Sequence, residues 1–427
     1  MTSTYTVSPV DQPLDGRIRP PGSKSLTNRA LVCAALADGP SEITGALASE
    51  DTLVMLAALR QLGLQITSTP DNTVINVAGL PSSPALGPLS LDIRNSGTTI
   101  RFLASFLSTL GGDYRLDGTK RMRERPMGDL INAIQQLGGS IYSLGDNQCP
   151  PLHVSGTGWN GGQATVAGDI SSQFLSGLLL AAPRSHSDVT LKLSTPLVSK
   201  PYVEMTTAVM SAFGVQVSSP KPDTYHVPAG DSYRGTKYEI EPDASAASYF
   251  WAAAAIAGGS VAVEGLSLRA LQGDVRFVEC LKAMGCQVTE DDACIRVTAG
   301  PLQGIDVDMN AISDTVQTLA VVALFATGST HIRNVAHIRH KESDRIGDLA
   351  RELRKLGASV DEHDDGLTIH PGPLQATTLD TYEDHRMAMS LALAGLKQPG
   401  VVINDPGCTS KTYPHFFTDL ESLIDQP

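Results

Sequence analysis

The stretch LGLQITSTPDNTVINV, residues 62–77, carries two structural signals in succession. Gly63 follows the last apolar residue of a helical pattern, where a left-handed turn commonly ends a helix. After this glycine, apolar and polar residues alternate, which predicts a β-hairpin with one buried face. The stretch therefore predicts a helix that ends at Gly63 and a strand pair that follows it directly.

The same combination occurs four more times along the chain. The later copies are LGGSIYSLGDNQCPPLHV (137–154), FGVQVSSPKPDTYHV (213–227), MGCQVTEDDACIRV (284–297) and LGASVDEHDDGLTIH (356–370). The five glycines are 71 to 76 residues apart. A nearly constant spacing of this length indicates an internal structural repeat.

A second element occurs six times in the same rhythm. Its copies are GSKSLTNRALVCAALADGPS (22–41), RNSGTTIRFLASFLSTLGGD (94–113), GDISSQFLSGLLLAAPRSHSD (168–188), EPDASAASYFWAAAAIAGGS (241–260), NAISDTVQTLAVVALFATGST (310–330) and YEDHRMAMSLALAGLKQPG (382–400). Each copy continues as a helix that is apolar on nearly all sides, which is typical of a buried helix. We therefore predict an α/β (α+β) protein of six units, each with a buried helix, a strand, a second helix and a strand pair.

The last unit lacks a strand pair, because the chain ends soon after its second helix, PHFFTDLESL (414–423). The missing strand material is available in TYTVSPVDQPLDGRIRP (4–20). We therefore expect two domains of three units each. Residues 23–238 would form the N-terminal domain, and residues 1–22 plus 239–427 a discontinuous C-terminal domain.

The composition limits the class of partner. The chain has 427 residues, 41% of them hydrophobic, and a formal net charge of −13. This charge argues against nucleic acid and anionic membranes as partners, because both reward basic surfaces. No apolar run reaches about 18 residues, and the N-terminal residues form no export signal. We expect a cytoplasmic protein with no nucleic-acid or membrane partner.

The six cysteines form no CxxC pair, and cysteines and histidines do not cluster at the spacings of metal ligands. We therefore expect reduced thiols and no metal site.

Unusual residues lie where the helices of the repeat are expected to begin. The buried helices would begin at Ser25, Gly97, Ser171, Ser245, Asp314 and His385. The second helices would begin near Asp51, Arg125, Lys200–Tyr202, Gln272, Lys341–Arg345 and Lys411. A helix N-terminus offers backbone N–H groups and the positive end of a dipole, so it favours anions and phosphates above all.

Many cations accompany these expected helix starts: Lys24, Arg29, Arg101, Arg125, Lys341, Arg345, Arg386 and Lys411. A cation in a first turn destabilises a helix by about 0.3–1 kcal/mol. Eight such placements are explained better by strongly anionic ligands than by stability. The structural alternative, for the first segment, is a core helix capped by Ser25 or Thr27 with Lys24 and Arg29 in solvent.

Three groups near the cations are candidate proton carriers, namely Asp314, Glu342 and His385. Asp314 and Glu342 also suit a purely structural role as helix caps or dipole partners. Next to a cationic site for anionic ligands, we interpret them as acid–base groups.

At this point a family resemblance is evident. The motifs are PGSKSLTNRALVCAALA, RNSGTTIRFL, RMRERPMGDL, GDISSQFLSGLLLAAP, SKPYVEMT, EPDASAASYF, ISDTVQTLAV, RHKESDRI, YEDHRMAMS and DPGCTSKTYPHFF. In this order they resemble the EPSP synthase family of enolpyruvyl transferases over nearly the whole chain. The resemblance implies two domains, each of three βαβαββ repeats, with the active site in the cleft between them.

The resemblance also implies a reaction of the shikimate pathway, which leads to chorismate and the aromatic amino acids. The enolpyruvyl group of phosphoenolpyruvate moves to the 5-hydroxyl of shikimate 3-phosphate, through a tetrahedral ketal and without a cofactor. The family further implies a monomer. Asp314, Glu342, Lys24 and His385 would be catalytic residues.

The resemblance implies two sets of ligands. Shikimate 3-phosphate would be held by Lys24, Ser25, Arg29, Ser171, Ser172, Gln173, Ser199, Tyr202, Asp314, His337 and Lys341. Phosphoenolpyruvate would be held by Lys24, Asn95, Gly97, Arg125, Gln173, Arg345, Arg386 and Lys411. The chain departs from many relatives at His337, which replaces an asparagine, and at Thr99 and Phe102. The last two bear on sensitivity to glyphosate, which imitates phosphoenolpyruvate in this family.

Two alternatives stay open. The enolpyruvyl transferase that acts on UDP-N-acetylglucosamine shares the fold and commonly carries a cysteine before an RP pair. Here that loop reads DGTKRMRERP (117–126), without cysteine. The second alternative is a non-catalytic anion-binding relative, which would be expected to lose a proton carrier, whereas Lys24, Asp314 and Glu342 are all present.

Overall fold

The computed structural model describes residues 3–81, 87–292 and 294–426. By their contacts these residues divide into two compact units. Gly22–Ile240 form the N-terminal unit, and the residues up to Pro21 join those from Glu241 onward in the C-terminal unit. None of the helices in the described ranges is long and apolar enough to cross a membrane.

The helices and strands alternate through both units. The helices are α1 Lys24–Leu36, α2 Glu50–Gln61, α3 Gly97–Thr109, α4 Gly128–Gln136, α5 Ser172–Ala181, α6 Lys200–Ala212, α7 Ala244–Ala257, α8 Phe277–Ala283, α9 Val316–Ala323, α10 Gly347–Lys355, α11 His385–Ala392 and α12 Phe416–Ile424. The first strands are β1 Thr4–Thr6, β2 Leu14–Ile18, β3 Ser41–Thr44, β4 Ile66–Ser68, β5 Val74–Val77, β6 Leu89–Asp92, β7 Gly111–Asp117, β8 Ser140–Ser143, β9 Leu152–Thr157, β10 Gly162–Val166, β11 Val189–Leu193 and β12 Ser218–Lys221. The others are β13 Thr224–Val227, β14 Lys237–Glu239, β15 Gly259–Glu264, β16 Gln287–Asp291, β17 Cys294–Thr298, β18 Asp306–Asp308, β19 Thr330–Arg333, β20 Ser359–His363, β21 Gly366–His370, β22 Thr377–Leu379 and β23 Val401–Asn404.

Among the described residues, each unit contains three small sheets; five of the six have four strands in one shared pattern, and the sheet of the last repeat, β1-β23-β22, has three. In the second repeat the order is β6-β7-β9-β8, with β6 parallel to β7 and the hairpin β8–β9 antiparallel. The third and fifth repeats have the same order, β10-β11-β13-β12 and β18-β19-β21-β20. These sheets confirm the βαβαββ repeat.

Three strands pair outside their own repeat along the chain. In the N-terminal unit, β14 runs parallel to β3 and completes the first sheet. In the C-terminal unit, β2 runs parallel to β15, and β1 pairs antiparallel with β23 of the last repeat. The N-terminal segment therefore supplies the strand that the last repeat lacks, as its sequence predicts.

The five repeated glycines end their helices as expected. Gly63, Gly138, Gly214, Gly285 and Gly357 all have positive φ, from 87° to 115°. In each case the backbone N–H of the residue after the glycine donates to the carbonyl of the residue five positions earlier. Examples are Leu64 N to Leu59 O and Ala358 N to Leu353 O, both at 3.2 Å. This is the Schellman motif, which requires the left-handed conformation at the glycine.

The first helix of each repeat is buried. All residues of α3 and α7 are buried, and those of α11 as well. Each unit has one continuous hydrophobic core around such helices. The prediction of all-round apolar, buried helices is confirmed for these elements.

Several expected helix starts are wrong. Arg125, Lys341–Arg345 and Lys411 lie in the connections before α4, α10 and α12, where short 3₁₀ turns precede the α-helices. Asp314 lies in another such turn, Asn310–Thr315, before α9. A 3₁₀ turn is too short to show a helical period in sequence, so its residues were attributed to the following helix.

The cap expected for α1 is also wrong. Ser23 caps the helix by accepting a hydrogen bond from Leu26 N, whereas Thr27 donates to the Ser23 carbonyl at 2.8 Å. Of the eight cations, only Lys24 and Arg386 lie in a first helical turn. The dipole argument therefore applies to these two alone.

We predict that Gly357→Ala lowers the free energy of unfolding by about 2 kcal/mol, because an L residue is strained at positive φ. Gly357 has φ 104°, and an added Cβ would lie 2.5 Å from the Pro373 carbonyl oxygen. Gly372→Ala is the control, since Gly372 lacks positive φ and its added Cβ would meet no atom closer than 3.6 Å. Urea unfolding should separate the two variants, and equal losses would contradict the role of the Schellman turn.

Candidate active site

The C-terminal unit contains a cluster of charged side chains. At its centre is the pair Arg345 and Asp384, both buried. The Asp384 carboxylate accepts from Arg345 Nε at 2.7 Å and from Arg345 Nη2 at 3.1 Å. It also caps α11 by accepting from Arg386 N at 2.9 Å, and it accepts from Ser343 Oγ at 3.0 Å. One carboxylate therefore orients the connection before α10 and the first turn of α11 together.

Asp314 lies among three cations. Its Oδ1 is bonded to Lys341 Nζ and lies 3.2 Å from Arg345 Nη1, while its Oδ2 lies 2.7 Å from Arg386 Nη2. Burial lowers the pKa of the Lys341 ammonium, and the Asp314 carboxylate offsets part of that effect. The 3₁₀ turn before α9 places Asp314 where these three side chains meet.

Glu342 is held at the edge of the same cluster. Its Oε2 accepts from Arg345 Nη2 at 2.8 Å, and its Oε1 lies 3.5 Å from Lys411 Nζ. Burial alone lowers the pKa of the Arg345 guanidinium, but the carboxylates of Asp384, Glu342 and Asp314 raise it above its ordinary value. Arg345 therefore stays charged.

The cluster is less cationic than its sequence motifs indicate. Its four basic side chains, Lys341, Arg345, Arg386 and Lys411, make ion pairs with three carboxylates, those of Asp314, Glu342 and Asp384. In this unit the fold itself therefore supplies much of the counter-charge that the positions of these cations would otherwise require from a ligand. Folding brings Asp314 to Lys341, Arg345 and Arg386, and brings Asp384 to Arg345.

Two histidines adjoin this cluster. His385, the first residue of α11, is fully buried, and its Nδ1 lies 3.6 Å from Asp384 Oδ1. His337 is buried in the 3₁₀ turn Ala336–His340. Burial, reinforced by the Lys341 charge, lowers the pKa of His337 to about 3, so its imidazole is neutral at neutral pH.

The positive charge of Arg29, in the N-terminal unit, is stabilised differently from the charges of the C-terminal cluster. Its side chain is 1% exposed, and its guanidinium lies 5.3 Å from the centre of the Phe102 ring. It donates to the Ser25 carbonyl at 2.9 Å, the Tyr202 carbonyl at 3.0 Å and Thr206 Oγ1 at 2.8 Å. Burial lowers the pKa of this guanidinium to about 10. Backbone and hydroxyl oxygens hold Arg29, so it joins α1 to α6.

Two further arginines of this unit face the starts of α3 and α5. Arg101 Nη1 donates to Gln173 Oε1 at 2.5 Å, and the side-chain Nε2 of Gln173 donates to Thr98 Oγ1 at 3.0 Å. The Arg125 guanidinium lies against Gly97, where an added Cβ would be 2.4 Å from Nη2. Gly97 therefore makes room for Arg125, whose Nη1 donates to the Asn95 carbonyl at 3.4 Å.

The other predicted ligands of this unit lie at helix starts. Lys24 begins α1, and its Nζ is 3.9 Å from the buried Asp51 carboxylate. Ser171 caps α5, and Ser172 is its first residue. Ser199 precedes α6 with φ 51°, in the left-handed region, and Tyr202 lies in the first turn of α6.

The structure thus brings together Asp314, Lys341, Glu342, Arg345, Arg386 and Lys411 in one unit, and Gly97 with Arg125 in the other. Two residues of these clusters, Asp384 and Thr206, are absent from the site residues that the sequence predicts. Asp384 precedes a predicted helix start, which is a usual signal for a cap. Thr206 lies inside a helix and shows no sequence signal.

Metal ligation has no support in the described ranges, where no group of three or more His, Cys, Asp or Glu could hold an ion. All six cysteines are free, and four of them are buried.

The comparisons with known proteins bear on the whole chain. The family model described as EPSP synthase (3-phosphoshikimate 1-carboxyvinyltransferase) matches residues 10–420. The chain belongs to the EPSP synthase family. Among similar curated proteins, the 3-phosphoshikimate 1-carboxyvinyltransferases of Nostoc punctiforme and Photobacterium profundum are each 45% identical to it. They cover 99% and 98% of this chain, which covers 100% and 99% of theirs.

Solved structures of EPSP synthase and a related transferase have the same fold. EPSP synthase from Acinetobacter baumannii matches with a TM-score of 0.84 and 26% identity, over 99% of this chain and 98% of that one. The enolpyruvyl transferase NikO from Streptomyces tendae matches with a TM-score of 0.77 over the same shares. At 19% identity, NikO supports the fold alone. The predicted fold class and family are confirmed.

We predict that His337→Asn flattens the acid side of the stability curve. With a pKa near 3 in the folded chain and an ordinary value of 6.5 when unfolded, His337 binds its proton preferentially in the unfolded state between these pH values. The wild-type free energy of unfolding should therefore fall by about 1.4 kcal/mol per pH unit more than that of the variant as pH drops below 6.5. Denaturation at pH 6.5, 5.5 and 4.5 measures this.

The control for this measurement is His186→Asn, since His186 is exposed. Its curve should run parallel to that of the wild type. Parallel curves for His337→Asn as well would contradict the burial of a neutral imidazole.

Proposed function

We propose that this chain transfers the enolpyruvyl group of phosphoenolpyruvate to the 5-hydroxyl of shikimate 3-phosphate and releases phosphate. The observation that carries the proposal is Asp314, a carboxylate held by Lys341, Arg345 and Arg386 in a chain that matches EPSP synthases over nearly its full length. A base surrounded by cations suits a reaction in which a hydroxyl loses a proton and anions are bound. The reaction serves the biosynthesis of chorismate and aromatic amino acids.

We assign the substrate ligands from the family motifs. For shikimate 3-phosphate these are Lys24, Ser25, Arg29, Ser171, Ser172, Gln173, Ser199, Tyr202, Asp314, His337 and Lys341. For phosphoenolpyruvate they are Lys24, Asn95, Gly97, Arg125, Gln173, Arg345, Arg386 and Lys411. The contacts above support these assignments where cations adjoin helix starts, since guanidinium groups meet carboxylate and phosphate oxygens two at a time.

Asp314 accepts the proton of the attacking 5-hydroxyl. Before substrate binds, its two oxygens are engaged by Lys341, Arg345 and Arg386. Substrate anions compete for these three cations, and each cation that moves to a substrate leaves a carboxylate lone pair for the hydroxyl. The cations then stabilise the anionic ketal and the departing phosphate.

Once phosphoenolpyruvate engages Arg345 and Lys411, Glu342 takes up a proton from solvent and delivers it to the methylene carbon, with Lys24 as a second donor. The Arg345 and Lys411 contacts of Glu342 connect it to two proposed phosphoenolpyruvate ligands. His385 is a weaker candidate for a catalytic role, because it is fully buried beside Asp384.

We further propose that the protein is a monomer, that it works in the cytoplasm and that it needs no cofactor. Its acidic net charge of −13 argues against nucleic acid and anionic membranes as partners. Size-exclusion chromatography with light scattering measures the mass in solution.

The activity test supplies purified protein with phosphoenolpyruvate and either shikimate 3-phosphate or UDP-N-acetylglucosamine. We expect phosphate release with shikimate 3-phosphate alone. Release with the nucleotide sugar alone would assign the rival transferase reaction, and binding of shikimate 3-phosphate without turnover would assign a non-catalytic relative.

We predict that Asp314→Asn lowers kcat by about 10²–10⁴-fold, the usual contribution of a general base. Asparagine keeps the shape of the side chain and one acceptor oxygen for the three cations, whereas alanine would remove both oxygens. Binding of shikimate 3-phosphate, measured by calorimetry, should change by less than tenfold. Asp306→Asn is the control, because Asp306 is an exposed edge-strand residue paired with Arg333. Unchanged kcat in Asp314→Asn would remove this residue from the mechanism.

A further inference from the structure

The neutral surroundings of Arg29 are unusual for a buried cation. Its hydrogen-bond partners are the carbonyls of Ser25 and Tyr202 and the hydroxyls of Thr206 and Ser176. Within the described part of the chain, no carboxylate lies at ion-pair distance from this guanidinium. Buried charges are normally paired with an opposite charge. Because Arg29 has no such partner among the described residues, the neutral oxygens that accept its hydrogen bonds determine where its guanidinium points.

Thr206 is the hydroxyl partner of Arg29 with the shorter hydrogen bond. It lies on α6, is fully buried, and its Oγ1 accepts from Arg29 Nε at 2.8 Å. The same hydroxyl donates to the Tyr202 carbonyl at 2.8 Å, one turn back along α6. Threonines inside helices often make this bond to the preceding turn, and here it directs the lone pairs of the oxygen towards Arg29.

The contacts form a closed network between two helix starts. The Tyr202 carbonyl accepts from Thr206 and also from Arg29 Nη2 at 3.0 Å. The other end of the guanidinium, Nη1, donates to the Ser25 carbonyl at 2.9 Å. Thr206 and Arg29 thus connect the first turn of α6 to the first turn of α1. A shift of either side chain alters the separation of Ser25 and Tyr202.

We propose that Thr206 is a positioning residue for shikimate 3-phosphate. Through Arg29 it sets the distance and direction between Ser25 and Tyr202, which lie on different helices and are both assigned to this substrate. The inference rests on the proposed function, because it takes those two ligand assignments from it. Thr206 itself is buried and does not touch the substrate.

The proposal has a kinetic signature. Thr206 bonds to Arg29 and to the Tyr202 carbonyl, and its hydroxyl lies 2.9 Å from Ser176 Oγ. None of these partners is assigned to phosphoenolpyruvate, and none is an assigned proton carrier. Loss of the Thr206 hydroxyl should therefore raise KM for shikimate 3-phosphate and leave KM for phosphoenolpyruvate and kcat nearly unchanged.

The test compares Thr206→Val, Thr206→Ser and Thr207→Val in the full-length protein. Valine keeps the shape and removes the hydroxyl, and serine restores the hydroxyl. Thr207→Val is the matched control, because Thr207 Oγ1 also donates to a backbone carbonyl of the same helix, that of Glu204 at 2.9 Å, and makes no contact with Arg29. Steady-state kinetics with each substrate varied in turn, with calorimetry of shikimate 3-phosphate binding, provide the readout.

We expect Thr206→Val to raise KM for shikimate 3-phosphate tenfold or more, with less than threefold change in kcat and in KM for phosphoenolpyruvate. Thr206→Ser and Thr207→Val should stay within threefold of the wild type. Equal KM values for the two valine variants, or a rise in both KM values together, would overturn the proposal.

If Thr206→Val does not fold, Thr206→Cys replaces it, since a thiol of similar size is a weak acceptor. An unchanged KM for shikimate 3-phosphate in a folded cysteine variant would likewise overturn the proposal. The wild-type measurements separate this failure from failure of the proposed function. A wild type that neither binds shikimate 3-phosphate nor turns it over would refute the function itself, whereas an active wild type with unaffected valine or cysteine variants would refute only the role of Thr206.

Discussion

A helix that is apolar on every side must be covered on every side, and this constraint shapes the whole protein. In each repeat the long buried helix is surrounded by a second helix, small sheets and neighbouring helices of the same unit. The Schellman glycine turns the chain sharply after the second helix, so the hairpin that follows can return over the core. Since the sides of the buried helices are apolar, their polar and charged side chains are concentrated at their ends.

The polar ends meet because the repeats surround a common core. In the C-terminal unit, Asp384 at the start of α11 binds Arg345, and Asp314 before α9 binds Arg386. In the N-terminal unit, Arg101 of α3 meets Gln173 of α5, and Arg29 of α1 meets Tyr202 of α6. Residues that are distant in sequence thus become neighbours because helix ends from several repeats meet around the same core.

The two units stabilise their buried cations by different means. In the C-terminal unit three carboxylates compensate the basic side chains through internal ion pairs. For Arg29 in the N-terminal unit, carbonyl and hydroxyl oxygens and the Phe102 ring take that role. These oxygens and the ring are neutral, so they do not cancel the positive charge of Arg29. A phosphorylated ligand nearby would be attracted by that charge. Arg29 and the cluster of the C-terminal unit therefore differ in how much of their positive charge is neutralised within the protein.

The sequence by itself determined the repeat, its buried helices, the Schellman glycines, the contribution of the N-terminal segment to the last repeat, and the family. All of these depend on local periodicity or on short motifs, which survive without knowledge of the fold. Only the tertiary structure decided which charges meet. The 3₁₀ turns that hold Asp314 and Lys411, the ion pair of Arg345 with Asp384, and the contact of Thr206 with Arg29 leave no periodic trace in the chain. The physical reason is that electrostatic balance depends on distances between residues far apart in sequence, and those distances exist only once the repeats have packed.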